Sequence, residues 1–442
     1  VSEAVRVVHL RQLPAAEVRR VLARSQARAL DAATQEAVRS LLDDVERRGD
    51  VAVAEATARF DRVRIDPGRL RVSPEEFASA REAVGEGVRA ALVASVDRAR
   101  RFSEWLRPPA RMVEELEPGI TVGVQFTPLA SVGAYVPSGK GRFPSTVVTL
   151  LTPAVVAGVP EIAVVVPPQP DGSADPAVLV AAELLGVECV YRCNGPAGIA
   201  ALAVGTESFP RVEALVGPGN PYVVAMQLLA QTRGVRVLGT FGPTESVVLA
   251  DADADPDRVA LDLLNEAEHG SDSAALLVTP SEELAQAVRA RVLSLLERLP
   301  EPRRGYARAA LTDLGGIFVV DGWEEAVAFV NLYAPEHVMV HARDPWTVAH
   351  RIRHAGEILL GPHTPFSAAN YAIGVPAALP TGGGARRESG VTVLSYLKVT
   401  SVAELDPEGL EKVRPVVEHL GSYEGFPAHV MAVRDRPAGG MR

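Results

Sequence analysis

Val132-Gly133-Ala134-Tyr135-Val136, a longer run from Ser145 to Ala157, Glu161-Ile162-Ala163-Val164-Val165-Val166 and a second longer run from Ala177 to Leu185 decide the fold class. The short segments are β-rich and almost uncharged, and the longer ones have helix length and composition. The alternation continues with a strand over 187–191, a helix from Ala197 to Val204 and a strand from Val212 to Val216. Strands of about five residues alternating with helices of about ten read as a parallel, doubly wound sheet.

Outward from this stretch the pattern repeats. Ser246 to Ala250, Ala274 to Thr279, Ile317 to Val320, Val338 to His341 and Glu357 to Leu360 read as strands. Pro256 to Glu268 and the strongly periodic Glu282 to Arg298 read as helices between them. Residues 14 to about 106 are helical in pattern, with Ala33, Val38, Leu41, Leu42 and Val45 on one face. From Val402 onward helical stretches punctuated by Pro415 and Pro427 are expected, with Arg436 to Arg442 disordered. The fold class is α/β: two doubly wound Rossmann-like units with N-terminal helices and a helical C-terminal tail. The expected division is 1–25 as an N-terminal helical segment, 26–132 with 241–390 as a first, discontinuous domain, 133–240 as a second, and 391–442 as the tail.

Composition narrows the function classes. Of 442 residues, 47% are hydrophobic and 23% charged, enough apolar mass for a sizeable core. The 45 basic and 55 acidic residues give a net charge of −10, which disfavours a phosphate-backbone partner. Cys189 and Cys193 are too few for a disulfide framework and read as core thiols. The most hydrophobic segment, Thr146 to Pro168, is broken by Pro153, Gly158 and Pro160, so no membrane span of about 20 apolar residues is expected. A cytoplasmic protein is the expectation.

Several short motifs carry chemistry. Glu266 and His269, in Leu263-Leu264-Asn265-Glu266-Ala267-Glu268-His269, share a helix face at i, i+3, which suits metal ligation and equally suits a solvated helix end. In Tyr333-Ala334-Pro335-Glu336-His337 the proline stops a helix, placing a carboxylate and an imidazole at a loop-to-strand junction. Such a pair serves as general acid and base near neutral pH, or is a surface Glu beside a strand-edge His. Gly217-Pro218-Gly219-Asn220-Pro221 follows a strand and opens a helix, a geometry that offers free N–H groups to an anion. Gly139-Lys140-Gly141-Arg142 is a second, basic strand-end loop. The ordinary G-x-G-x-x-G fingerprint is absent.

Together these motifs stand in a telling order. The chain resembles the histidinol dehydrogenase family, zinc- and NAD-dependent enzymes, through S-V-G-A-Y-V-P-S-G (131–139), I-A-A-L-A-V-G-T-E-S-F-P (199–210), V-G-P-G-N-P-Y-V (216–223), F-G-P-T-E-S (241–246), L-L-N-E-A-E-H-G-S-D-S (263–273), N-L-Y-A-P-E-H (331–337), A-G-E-I-L-L-G (355–361), A-L-P-T-G-G-G-A-R (378–386) and E-G-F-P-A-H (424–429). The resemblance implies NAD binding by 133–240 and a homodimer in which the tail crosses to the partner. It places the zinc ligands at Glu266, His269, Asn370 and His429, and the catalytic pair at Glu336 and His337. Cofactor contacts map to Tyr135, Ala197, Gly217, Gly219 and Asn220, and substrate contacts to Thr244, Ala377 and Glu424.

Some positions depart from the family pattern. Gln is usual where Glu266 stands and Asp where Asn370 stands, so the site's formal charge is unchanged. A swapped but intact zinc site is expected. The family's substrate-binding His is Ala377, its G-P-S-E serine is Thr244, and a cofactor-contacting Gln is Ala197. The loop after the Tyr-x-Pro turn gains Lys140 and Arg142. A small alcohol other than L-histidinol is therefore expected, an anionic diol if the two cations face it; the same cations equally suit the NAD pyrophosphate. L-Histidinol oxidation and a non-catalytic zinc- or nucleotide-binding paralogue are the alternatives.

Overall fold

The computed structural model describes residues 5–23, 31–239 and 241–436; the expectation for the extreme C-terminus thus falls largely outside the described residues. The chain opens on a short strand, β1 (Val7–His9), and after its N-terminal helices forms a hairpin of β2 (Arg111–Glu117) and β3 (Ile120–Pro128). Five strands follow: β4 (Ser131–Tyr135), β5 (Glu161–Val166), β6 (Val190–Arg192), β7 (Ala214–Val216) and β8 (Arg236–Val237). Five more are β9 (Glu245–Ala250), β10 (Ala274–Thr279), β11 (Gly316–Val319), β12 (His337–His341) and β13 (Glu357–Leu360), and β14 (Leu397–Leu405) precedes the tail helices.

Two parallel sheets carry the fold. The first has the order β6-β5-β4-β7-β8 and the second β1-β11-β10-β9-β12-β13. Counted from the first strand of each run, both read 3-2-1-4-5, with β1 added at one edge of the second. Each is buried on both faces, which is why its strands read as continuous apolar runs. In β5, Ala163 and Val165 pack into one core cluster, and Val164 and Val166 into another. In β9, Val247 and Leu249 face one core, and Val248 and Ala250 the other.

The helices of 32–60 cover one face of the five-stranded sheet, with Gly195–Val204 and Pro221–Ala230 beside them. Those of 74–106 cover the other face with Pro144–Ala157 and Pro176–Leu184. The N-terminal helices thus lie on the second unit's sheet, whereas the sequence reading grouped them with the first unit. Proline and an Asn or Asp cap start many helices: Asp175, Asn194, Asn220 and Asp255 each accept a backbone N–H of the first turn.

Strand β14 corrects the tail reading. Residues 397–405 pair antiparallel with β3 along its whole length, and β2 completes a three-stranded sheet. This sheet is exposed or half-exposed almost throughout; β3 does alternate, with Ile120, Val122, Val124 and Phe126 on one face, but β2 and β14 carry no comparable alternation. The strand expected at 187–191 lies at Val190–Arg192, Val187 being a buried loop residue. Helix Pro407–Tyr423 starts on the hairpin tip, where Asp406 N donates to Gly119 O at 3.0 Å and Lys412 Nζ to Pro118 O at 2.8 Å, and helix Pro427–Arg434 packs back on it, Arg414 Nη1 donating to Val433 O at 2.8 Å. Among the described residues no helix is long and apolar enough to cross a membrane.

Candidate active site

The amino ends of β9, β12 and β13 converge on one imidazole. Helix Trp323–Tyr333 ends at Ala334, which takes a left-handed φ of 49°, and Pro335 prevents its continuation. A non-glycine residue in that region costs on the order of 1–3 kcal/mol and turns the chain sharply into Glu336 and His337. The strand pairing then sets His337 beside Glu357 in β13 and Ser246 in β9.

His337 is 4% exposed. Its Nδ1 lies 2.5 Å from Glu357 Oε1, and its Nε2 lies 3.5 Å from Glu336 Oε1 and 3.9 Å from Glu266 Oε2. Phe366 meets the ring edge-on at 5.6 Å. Burial alone would push the imidazole pKa down, but the carboxylates of Glu336, Glu266 and Glu357 hold it well above its ordinary value. Burial raises the Glu357 carboxyl, against the pull of His337. Glu336 is fixed from behind, its Oε2 accepting from Glu245 N at 3.1 Å.

Glu266 enters from the last turn of helix Pro256–Ala267 and is 1% exposed. Its Oε1 accepts from Asn265 Nδ2 at 2.8 Å and Asn370 Nδ2 at 3.4 Å, while Oε2 is buried and accepts no hydrogen bond. His269 Nδ1 lies 3.4 Å from that oxygen. A buried carboxylate oxygen without a donor, beside an imidazole and an amide, is a place for a cation. Three carboxyl groups surround the one imidazole of His337. Glu266 and His269 are ordinary zinc donors, and the Asn370 amide is a weaker oxygen donor, so the donor set fits zinc.

The other two predicted contributors lie elsewhere. Glu424 and His429 are exposed on the tail, the His429 ring packing 5.1 Å from Phe426. Within the chain, Glu266, His269 and Asn370 are brought together and His429 is not. Among the described residues no set of three His, Cys, Asp or Glu side chains stands at metal-holding spacing.

The predicted cofactor residues cluster at the carboxyl ends of β4 and β7, the point where strand order reverses and where ligands of doubly wound sheets bind. Tyr135 ends β4, 6% exposed, with burial pushing its phenol pKa up. Its ring lies on Gly195, where an added Cβ would come within 2.6 Å of it. Gly217 has a φ of 128°, and a Cβ there would stand 2.1 Å from Tyr135 O. A Cβ at Gly219 would meet Val223 Cγ1 at 2.2 Å. Asn220 caps the following helix, accepting from Tyr222 N at 3.0 Å and Val223 N at 3.1 Å, and Ala197 sits in the first turn of the neighbouring helix.

Between the two clusters the basic loop spans the units. Lys140 Nζ pairs with Asp272 Oδ1 at 2.7 Å, just before β10, and Arg303 donates to the carbonyls of Lys140 and Glu268. Arg142 Nε stands 3.3 Å from Asp175 Oδ2, the cap of a helix. Both cations expected to face an anionic ligand therefore already have carboxylate partners. Thr244 immediately precedes β9, its carbonyl accepting from Ala274 N at 2.9 Å, and Ala377 is half-buried in the loop before Leu379. Sequence reasoning missed Glu357, Asn265 and Asp272. Glu357 had a signal: a lone carboxylate opening the apolar strand E-I-L-L.

Comparison with known proteins bears on this geometry. Residues 24–437 match the profile of the Histidinol dehydrogenase family. A histidinol dehydrogenase from Synechocystis sp. is 43% identical over 399 residues, covering 90% of this chain and 92% of that one. A histidinol dehydrogenase homolog from Colwellia psychrerythraea is 40% identical over 398 residues, covering 90% of this chain and 89% of that one. The solved histidinol dehydrogenase from Elizabethkingia anophelis superposes with a TM-score of 0.91 at 32% identity, covering 98% of this chain and 97% of that one. The chain belongs to the histidinol dehydrogenase family, a family of zinc- and NAD-dependent oxidoreductases that act on CH–OH groups.

Proposed function

We propose that this protein is an alcohol dehydrogenase that oxidises a small polar primary alcohol other than L-histidinol, through the aldehyde to the carboxylic acid. The observation that carries the reading is the buried His337, held on Nδ1 by Glu357 and presenting Nε2 toward Glu336 and Glu266. Glu266, His269 and Asn370 would hold the zinc, with His429 from a second copy as the further donor. Tyr135, Gly217, Gly219 and Asn220 would hold the NAD. When bound, zinc supplies Lewis-acid polarisation of the hydroxyl oxygen and NAD supplies the hydride acceptor.

The chain's own residues do the rest. His337 Nε2 takes the hydroxyl proton. Glu336, anchored by Glu245 N, deprotonates the water that adds to the aldehyde before the second oxidation. Thr244 borders the site at the start of β9, and Glu424 of a second copy would close it. Exposed apolar side chains on the hairpin and tail support that pairing of copies: Met112, Val113, Leu116, Val402, Tyr423 and Phe426 are uncovered in the single chain.

Ala377, in the position of the family's substrate-facing histidine, supports a substrate without the histidinol imidazole. With Lys140 and Arg142 already paired, neither supports an anionic substrate over a neutral one. L-Histidinol is the second reading, favoured by the 43% identity to a relative named histidinol dehydrogenase. The test is NADH formation by the zinc-loaded protein, with L-histidinol set beside anionic and neutral diols and amino alcohols. Turnover of L-histidinol above all others overturns the substrate reading, and turnover of none overturns the function.

A further inference from the structure

We propose that Glu357 is a positioning residue that fixes the tautomer and the tilt of His337. This rests on the catalytic role proposed for His337. The two residues are cross-strand partners in the parallel β12–β13 pair, so the backbone register itself sets their side chains at the same level. Glu357 Oε1 is 2.5 Å from Nδ1, both side chains are buried (8% and 4% exposed), and Phe366 closes the ring's edge. A carboxylate accepts but does not donate, so Nδ1 carries the proton and donates it to Glu357. The neutral ring is then left with its lone pair on Nε2, the nitrogen that faces Glu336 and Glu266.

The alternatives fail on this geometry. Among the described residues Glu357 Oε1 pairs with His337 and Oε2 accepts no hydrogen bond, so the carboxyl is not there to satisfy a backbone or a surface cation. Nor is it placed as a donor to the proposed metal, which Glu266 and His269 face; the imidazole lies between. Without Glu357 the buried ring is free to protonate on Nε2 instead, with Nδ1 bare, and the base then points away from the site.

The test uses the zinc-loaded protein, two variants at Glu357 and His337→Asn for assignment. Glu357→Leu removes the acceptor and leaves an apolar side chain; Glu357→Gln keeps the shape and a neutral acceptor for Nδ1–H. Positioning residues of this kind are worth about 10- to 100-fold, so Glu357→Leu is expected to lower kcat by about 100-fold with KM changed less than about threefold, and Glu357→Gln to recover to within about tenfold of the parent. The 15N signals of the His337 ring, assigned by their loss in His337→Asn and followed up a pH titration until the ring is neutral, are expected to show the remaining proton on Nδ1 in the parent and in Glu357→Gln, and a shift toward Nε2–H in Glu357→Leu. Parental kcat in Glu357→Leu overturns the proposal. So does a neutral ring whose single proton sits on Nε2 in the parent, or a zinc content that falls with kcat. If Glu357→Leu does not fold, the parent's ring signals and Glu357→Gln still decide. If the parent oxidises no alcohol, the functional reading fails while the 15N measurement continues to test the pairing.

Discussion

Replacing Gly217 by Ala probes whether the switch point of the five-stranded sheet is built as tightly as its geometry implies. Two penalties combine there. The φ of 128° is one that side-chain-bearing residues avoid, at a cost of about 1–3 kcal/mol. The new Cβ would also stand 2.1 Å from Tyr135 O and 3.0 Å from Tyr135 N, contacts with backbone that β4 cannot yield, because β5 and β7 pair with it on both sides. Overpacking of this kind costs about 1–3 kcal/mol more, giving about 2–6 kcal/mol in all. Gln227 Nε2, donating to Gly217 O at 2.9 Å, pins the same peptide from the helix side. Gly158→Ala is the control: its φ is 86°, yet nothing lies within 4 Å of an added Cβ, so it carries the first penalty alone. At roughly 2 °C per kcal/mol, Gly217→Ala is expected to lower the melting temperature by about 4–12 °C and Gly158→Ala by about 2–6 °C. Displacement of the loop by about 1 Å is expected to raise the KM for NAD at least tenfold in Gly217→Ala and not in Gly158→Ala, with zinc content unchanged in both. Equal melting temperatures and equal NAD KM for the two variants would refute the reasoning.

Three further outcomes are expected. Replacing His337 by Asn should slow both oxidation steps by about 100-fold or more, whereas Glu336→Gln should chiefly slow aldehyde oxidation; stopped-flow NADH traces with alcohol and with aldehyde separate them, and equal losses in Glu336→Gln count against its role. His429→Ala should lose zinc, and mixing it with His337→Asn subunits should restore up to about a quarter of activity, as expected if the tail acts across two copies; metal analysis and complementation check this, and full zinc in His429→Ala sinks it. At Glu76, burial pushes the carboxyl pKa up, but hydrogen bonds from buried Arg192 and from Ser73 N outweigh it and hold it below its ordinary value. A depressed folded pKa stabilises above the unfolded value of about 4.3 and loses that stabilisation as pH falls through the folded value. Glu76→Gln should therefore cost about 1–3 kcal/mol at pH 7, and the gap in melting temperature to the parent should close below about pH 4.

The two sheets were legible because burial on both faces writes a strand as an apolar run, as in Glu161–Val166 and Ala274–Thr279, which the structure reproduces residue for residue. The β2–β3–β14 sheet was not, because a surface sheet without a buried face leaves no such run: in β14, Val402 shares a strand face with Lys398, Thr400 and Glu404, Val399 shares the other with Ser401, and all are exposed. Glu336 and His337 were legible from Pro335 and the apolar strand after them. Glu357 stood twenty positions away in the chain and becomes a neighbour only through parallel pairing, which depends on strand order. The pairing of Lys140 with Asp272 is harder still, since it joins the two units and no local spacing records it.

The shared 3-2-1-4-5 order bears on how one active site is assembled from two similar halves. In the five-stranded sheet the functional candidates, Tyr135 and Gly217 to Asn220, lie at the carboxyl ends of the strands, where doubly wound sheets hold their ligands. In the six-stranded sheet Glu245, His337 and Glu357 open their strands, and Glu266 ends a helix that runs back to the same edge, so the chemistry sits at the amino ends. Opposite use of the two sheets lets them meet edge to edge: the loop after β4 carries Lys140, which pairs with Asp272 just before β10, and Arg303 grips Lys140 O and Glu268 O together. On the proposed assignment, a cofactor held at one rim would face an alcohol held at the other. The reacting carbon and the nicotinamide would then be brought into register by the packing of one unit against the next, and not by either sheet alone. Loosening that seam with Lys140→Ala should thus lower turnover by slackening the approach of two intact half-sites, while zinc content, read on the six-stranded side, stays that of the parent. A Lys140→Ala protein that loses its zinc would place Lys140 in the metal site instead of the seam.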